Sequence, residues 1–284
     1  MESIGYYNGE IAPIEDLKVP FLDRVTFYGD GVYDATMARD GVILFAEDHL
    51  DRFFNSMRLM RFEPNFTREE LQAELQKVLD LADARDNFVY WQVTRGTAPR
   101  RHEFPSVAPN LWIMVVPMPF ADLTKTVDAV SFEDLRFGYC NVKTLNLLPN
   151  VLAAQNAEEH GGQEAIFVRD GIVTESAHSN IHILKDGVLV THPADNHILP
   201  GIARKHLIAM CAQLGIPVEE RHYTLEELKA ADEVIISSSN TFGIRVAHVD
   251  GEPVGGGDLA TYSRLCEALE REFDAYIASR RNSD

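Results

Sequence analysis

Apolar and polar positions alternate over short runs along much of this chain, and glycine-containing turn dipeptides separate the runs. Asn8-Gly9, Asp40-Gly41, Asp170-Gly171, Asp186-Gly187 and Asp250-Gly251 each sit between apolar stretches. Asn-Gly and Asp-Gly supply the positive φ angles of two-residue hairpin turns. The pattern predicts strands Val32–Ala38 with Val42–Phe45, Ala165–Arg169 with Ile172–Glu175, and Ile181–Leu184 with Val188–Thr191. Between them the spacing changes to that of helices. Thr67-Arg68-Glu69-Glu70 is a capping box, and Leu71, Leu75, Val78 and Leu79 follow on one face. Thr224-Leu225-Glu226-Glu227 is a second box. Glu47–Met60 places Leu50, Phe53, Phe54 and Met57 together, and Ala203–Leu214 and Asp258–Ser279 also read as helices. Antiparallel hairpins with segregated helices predict an α+β, two-domain architecture of largely antiparallel sheets. Pro117-Met118-Pro119 marks the boundary, with an N-terminal domain over 1–118 and a larger C-terminal domain over 119–284.

Charge narrows the possible partners. The 284 residues carry a formal net charge of −18 with the acidic groups spread along the chain, so the field repels phosphate backbones and argues against nucleic acid. Cys140, Cys211 and Cys266 form no C-x-x-C spacing and are odd in number, which argues against a disulfide framework. Met1–Glu10 lacks a basic and apolar leader pattern, and no apolar run reaches the roughly 18 residues that span a bilayer. The expectation is a cytoplasmic protein that does not engage membranes.

Against that acidic background a few residues stand out. Lys143 lies in an otherwise uncharged stretch, Gly138–Asn150, where partial desolvation frees an amine as a nucleophile. Taken alone, it fits a lysine snorkelling from an apolar segment equally well. Glu175, near a strand end in Val173–Asn180, can pair with a cationic ring nitrogen or be a plain loop carboxylate. Leu199-Pro200-Gly201-Ile202-Ala203-Arg204 opens a helix, whose free N–H groups and dipole favour an anion. Ser237, Ser238 and Ser239 add hydroxyl donors after a strand, and Arg52 a fixed positive charge. The run Arg95–Pro105 gathers Arg95, Arg100, Arg101 and His102 in a loop held by two prolines, which suits an acidic small ligand or simply an exposed basic loop.

In order and register, four stretches resemble the class IV (fold type IV) pyridoxal-phosphate aminotransferases. They are Phe27-Tyr28-Gly29-Asp30-Gly31-Val32-Tyr33, the lysine segment ending Leu145-Asn146-Leu147-Leu148, Thr174-Glu175, and Gly201-Ile202-Ala203-Arg204. The resemblance runs from about Gly5 to Ser279, and Arg95–Pro105 is similar to the substrate-carboxylate loop of the D-amino-acid aminotransferase subfamily. It implies pyridoxal 5'-phosphate held as a Schiff base on Lys143, which also carries the proton, with Glu175 on the pyridine nitrogen. Arg52, Ile202, Ala203, Ser238 and Ser239 would surround the phosphate, and Leu199 the ring. Tyr33, Arg100 and His102 would bind the substrate carboxylate, the loop arriving from a second subunit of a homodimer. The implied reaction is transfer of the amino group of a D-amino acid such as D-alanine to 2-oxoglutarate.

Three positions depart from the pattern: Ala203 where threonine is frequent, His178 where a small residue is usual, and Asp34 where glutamate is usual. Two other activities of the same fold compete, 4-amino-4-deoxychorismate lyase and branched-chain L-amino-acid aminotransferase. A third alternative is a binding protein that keeps the fold without catalysis.

Overall fold

Residues 3–281 are described by the computed structural model, and they divide into two compact units. One comprises Met1–Phe120, Val142–Asn146 and Ala275–Asp284; the other comprises Ala121–Asn141 and Leu147–Asp274. The first segment of the first unit ends at Phe120, and the lysine segment and the last helical turns group with that unit.

The first unit contains β1 (Ile4–Tyr7), β2 (Glu10–Pro13), α1 (Val25–Tyr28), β3 (Gly31–Arg39), β4 (Val42–Ile43), α2 (Ala46–Leu59), α3 (Arg68–Leu79), β5 (Asp86–Thr94) and β6 (Asn110–Pro117). Its six strands form one sheet in the order β2-β1-β6-β5-β3-β4, with every pairing antiparallel. Asn8 and Asp40 take the left-handed conformation at the two tight hairpins, as the Asn-Gly and Asp-Gly pairs predict. The capping box at Thr67 forms, each partner accepting the other's backbone N–H. Leu50, Phe53 and Met57 of α2 and Leu71, Leu75 and Val78 of α3 pack on Val32, Val89, Trp91, Val93, Ile113 and Val115 of the sheet.

The second unit contains β7 (Thr126–Glu133), α4 (Leu148–Glu159), β8 (Glu164–Arg169), β9 (Ile172–Ser176), β10 (Asn180–Lys185), β11 (Val188–Thr191), α5 (Ile202–Leu214), β12 (Val218–Glu220), α6 (Leu225–Lys229), β13 (Glu233–Ser237), β14 (Ile244–Val249), β15 (Glu252–Pro253) and most of α7 (Leu259–Arg281). Asp170, Asp186 and Asp250 turn its three tight hairpins with positive φ. The sheet is nevertheless mixed, since β7 pairs parallel with both β8 and β14, and β11 with β12. A parallel neighbour requires a crossover, and α4 makes the one from β7 to β8. The hydrophobic pattern did not announce α4. Its inward side is only Ala153 and Ala157, while Leu148, Val151 and Leu152 are exposed, so there is no apolar stripe facing the core.

A buried histidine ties three strands of this sheet together. His182 on β10 places Nδ1 2.8 Å from Thr191 Oγ1 and Nε2 2.8 Å from Ser237 Oγ. Burial, assisted by the charge of Arg204, lowers its pKa from 6.5 to about 3. The unfolded chain takes up the proton between those values and the native state does not, so stability is complete above pH 6.5 and declines as pH falls toward 3. Denaturation midpoints from pH 7 to 4.5 are expected to drop less in His182→Asn than in the unmodified chain. The difference amounts to at most about 1.4 kcal/mol per pH unit, and identical pH slopes would show that His182 does not couple to folding.

Candidate active site

The lysine segment is positioned by the start of β3. Tyr33 N–H donates to the Lys143 carbonyl at 2.9 Å, and Leu145 N–H donates to the Gly31 carbonyl at 3.1 Å, so 143–145 run beside β3 as a short antiparallel rung. Gly31 permits this, because a Cβ there would meet the Leu145 side chain and lie 2.6 Å from the Val93 carbonyl. On the other side Lys143 N–H donates to Ser56 Oγ of α2 at 3.2 Å. The half-buried Lys143 ammonium lies 4.4 Å from the Tyr33 ring centre, and Tyr33 stacks on Tyr90. Among the described residues no carboxylate pairs with Lys143 Nζ. The fold therefore leaves that nitrogen available for a covalent partner. Lys143 and Tyr33, distant in sequence, are thus brought together.

Arg52 sits on the same face of α2 as His49 and Ser56, a polar stripe inside an otherwise apolar contact. Its Nε and Nη2 donate to the two oxygens of Asp34 at 2.9 and 2.7 Å, and His49 Nδ1 lies 2.8 Å from the same carboxylate. Burial would raise the Asp34 carboxyl, but Arg52 and His49 outweigh it and hold it well below the usual carboxylate range. The charge expected from Arg52 is therefore shared with Asp34, a partner absent from the expectation. The polar spacing His49-x-x-Arg52-x-x-x-Ser56 was the available signal.

The basic loop is held by its own unit. Arg24, nearly fully buried, pairs with Asp30 at 2.7 Å and donates to the carbonyls of Arg101, His102 and Glu103. Arg95 also pairs with Asp30, donates to the carbonyls of Met60 and Arg61, and stacks on Phe62 and Phe104. Arg95 is thus a scaffold residue, whereas Arg100 and His102 are exposed and flank the Tyr28 ring at 5.3 Å each. The result is a rigid backbone presenting two basic side chains.

In the second unit Glu175 lies near the end of β9, buried, and accepts hydrogen bonds on both carboxylate oxygens. Arg136 donates to Oε1, while Leu199 N–H at 3.0 Å and Asn180 Nδ2 at 3.2 Å donate to Oε2. Leu199 contributes its backbone here, and its carbonyl accepts the other Asn180 hydrogen at 2.9 Å. Arg136 is fixed by Asp134, which is also bonded by Thr174. Burial opposes the Arg136 charge, but Asp134 and Glu175 more than compensate and raise its pKa. Neither Arg136 nor Asp134 was singled out in the sequence; their spacing, Asp134-x-Arg136, is too common to signal a site. His178, in contrast, has a largely exposed side chain, with Nδ1 3.4 Å from Glu164.

Ile202 and Ala203 are the first residues of α5, both buried, and Gly201 before them provides no side-chain cap. A Cβ at Gly201 would collide with the Asn180 side-chain oxygen, so the helix start and the Glu175 support pack directly against each other. The leading N–H groups of such a helix favour an anion. Ser238 lies after β13, its hydroxyl 2.9 Å from Thr241 Oγ1, with Ser239 next in the same turn.

The family model for amino-transferase class IV matches residues 31–249. The chain belongs to the class IV aminotransferases. It is 39% identical over 278 residues to the D-alanine aminotransferase of Staphylococcus epidermidis, covering 96% of this chain and 98% of that one. The D-alanine aminotransferase of Bacillus licheniformis is 35% identical, over 88% of this chain and 90% of its own. Among solved structures, the branched-chain amino acid aminotransferase from Escherichia coli superimposes with a TM-score of 0.87 at 27% identity, over 96% of this chain and 95% of that one. As a class IV aminotransferase the chain works with pyridoxal phosphate. In the first unit Lys143 offers an amine that no carboxylate pairs with among the described residues; in the second unit Glu175 offers a buried carboxylate and Gly201 an uncapped helix start, and each by itself suits a part of that group.

The Glu175 arrangement predicts that Arg136→Met leaves two buried carboxylates short of a partner. Breaking a buried ion pair in this way costs about 3–5 kcal/mol. Urea denaturation should show that loss, and a change below 1 kcal/mol, on the order of a surface pair, would mean that Arg169, which also pairs with Asp134 at 3.1 Å, and the backbone suffice without it.

Proposed function

We propose that this class IV aminotransferase transfers the amino group of a D-amino acid, such as D-alanine, to 2-oxoglutarate, giving a keto acid and D-glutamate. The observation that carries the reading is the clamped basic loop of a chain whose net charge is −18: Arg100 and His102 are held out on a backbone gripped by Arg24. The names of the relatives at 35–39% identity support the same substrate class.

When bound, pyridoxal phosphate supplies an electron sink for the charge left by the departing Cα proton. Lys143 Nζ would hold the group covalently, give way to the substrate amine, and then take and return the proton as general base and acid. Glu175, braced by Arg136, would keep the ring nitrogen protonated, since a close carboxylate raises the pKa of its cationic partner. The backbone N–H groups of Ile202 and Ala203, with Ser238, Ser239 and Arg52, would hold the phosphate. Ala203 then contributes through its backbone alone. Leu199 would lie against the ring while its N–H steadies Glu175. Tyr33, Arg100 and His102 would receive the substrate carboxylate, Arg100 in a charge-assisted pair that fixes orientation. With that end fixed and one proton carrier at Lys143, a single enantiomer presents its Cα–H.

The same reading includes a homodimer in the cytoplasm, each subunit's loop serving its partner. In its support, Leu148, Val151 and Leu152 share an exposed side of α4, as an apolar surface awaiting a partner would. Among the described residues no helix is long and apolar enough to cross a membrane.

Lys143→Ala is expected to abolish transamination and to eliminate borohydride-dependent labelling of the chain by the cofactor; turnover near the unmodified level would remove Lys143 from its role. Arg100→Ala should raise KM for D-alanine by about 10- to 100-fold, the worth of a hydrogen bond to a charged group, with cofactor absorbance retained. A coupled assay of D- and L-amino acids with 2-oxoglutarate tests the substrate class, and preference for L-leucine or L-valine would overturn it.

A further inference from the structure

A cluster of imidazoles lies in the second unit just beyond β11. After Thr191 the chain runs His192-Pro193-Ala194-Asp195-Asn196-His197. His222 arrives alongside because Arg221 N–H donates to the Thr191 carbonyl at 3.0 Å. One ring nitrogen each from His192 and His222 and one Asp195 oxygen all lie within 4.8 Å of one another. We propose that His192, Asp195 and His222 form a binding site for a divalent transition-metal cation of the zinc class, with His197 available as a fourth ligand.

The distances favour ligation over hydrogen bonding. Asp195 Oδ2 is 3.8 Å from His222 Nε2 and 3.6 Å from His197 Nδ1. Both exceed hydrogen-bond range, so these groups face a gap without bonding across it. The His192 and His222 ring centres are 4.7 Å apart. Two imidazoles whose nitrogens each lie about 2 Å from one ion place their ring centres about 5 Å apart. The His222 side chain, 56% exposed, has room to turn toward an ion, while His192 is buried.

The surroundings are arranged as in metal sites. His192 Nδ1–H donates to the Pro193 carbonyl at 2.9 Å, which leaves the lone pair on Nε2 and orients the ring as a carbonyl behind a ligating histidine does. Asp195 Oδ1 accepts the His197 N–H at 2.7 Å and closes the loop on itself. The neighbouring cations are already paired, Arg221 with Glu219 and Glu227 and Arg204 with Glu220, so no unpaired guanidinium among them opposes a metal ion. Imidazole with one carboxylate selects zinc, nickel or cobalt over magnesium or calcium. The site takes no part in the transfer chemistry and does not rest on the proposed substrate.

The test is calorimetric titration of zinc into the chelator-treated holoenzyme, repeated with cobalt, whose visible bands report coordination. One equivalent per chain is expected, with affinity lowered by about tenfold or more in Asp195→Asn/His222→Ala. Zinc should also raise the Tm of the unmodified chain, by linkage, and not that of the double variant. His248→Ala, which removes an exposed histidine paired to Asp128, should bind zinc normally. Absence of stoichiometric binding, or binding and Tm shifts unchanged in the double variant, would overturn the site.

Discussion

A carboxylate removed from water costs several kcal/mol unless a cation and N–H donors replace its hydration, and this chain buries carboxylates at each place where its chemistry gathers. Asp34 is matched by Arg52 and His49, Asp30 by Arg24 and Arg95, and Asp134 and Glu175 by Arg136. Each pairing fixes an arginine in direction as well as charge, because a guanidinium bound at two nitrogens cannot rotate. The sites are therefore built less by the residues that meet substrate than by the ion pairs behind them.

The two units use this device differently. In the first, the paired arginines spend their remaining hydrogens on backbone: Arg24 on three carbonyls of the basic loop, and Arg95 on two carbonyls after α2. A loop held through its carbonyls is rigid whatever its side chains are, which leaves Arg100 and His102 free to serve a ligand. In the second, Arg136 braces the carboxylate proposed to face the cofactor, while Leu199 and Asn180 bind the opposite oxygen. Glu175 is thereby committed in direction before any cofactor arrives, which is the preorganisation that electrostatic catalysis requires.

Local rules were legible wherever a local cause sufficed. Asp-Gly and Asn-Gly pairs turned five hairpins because only residues tolerant of positive φ fit there, and both capping boxes formed because their bonds close within four residues. Resemblance in register sufficed to name the class IV aminotransferase family. The rest depended on partners remote in sequence. The parallel pairs of β7, and α4 with its inward alanines, carry no periodic signal, since a helix packed through small residues has no hydrophobic stripe to read.

By itself, then, the sequence determined the turns, most elements, the acidic field and the family, because propensity and motif are encoded within a few positions. Tertiary structure alone decided which arginine answers which carboxylate. Arg52 meets Asp34 across 18 residues, Arg136 meets Glu175 across 39, and Arg24 reaches the Arg101 carbonyl across 77. A long flexible side chain has no periodic signature, and its partner is selected only when folding has excluded the water that would otherwise satisfy both.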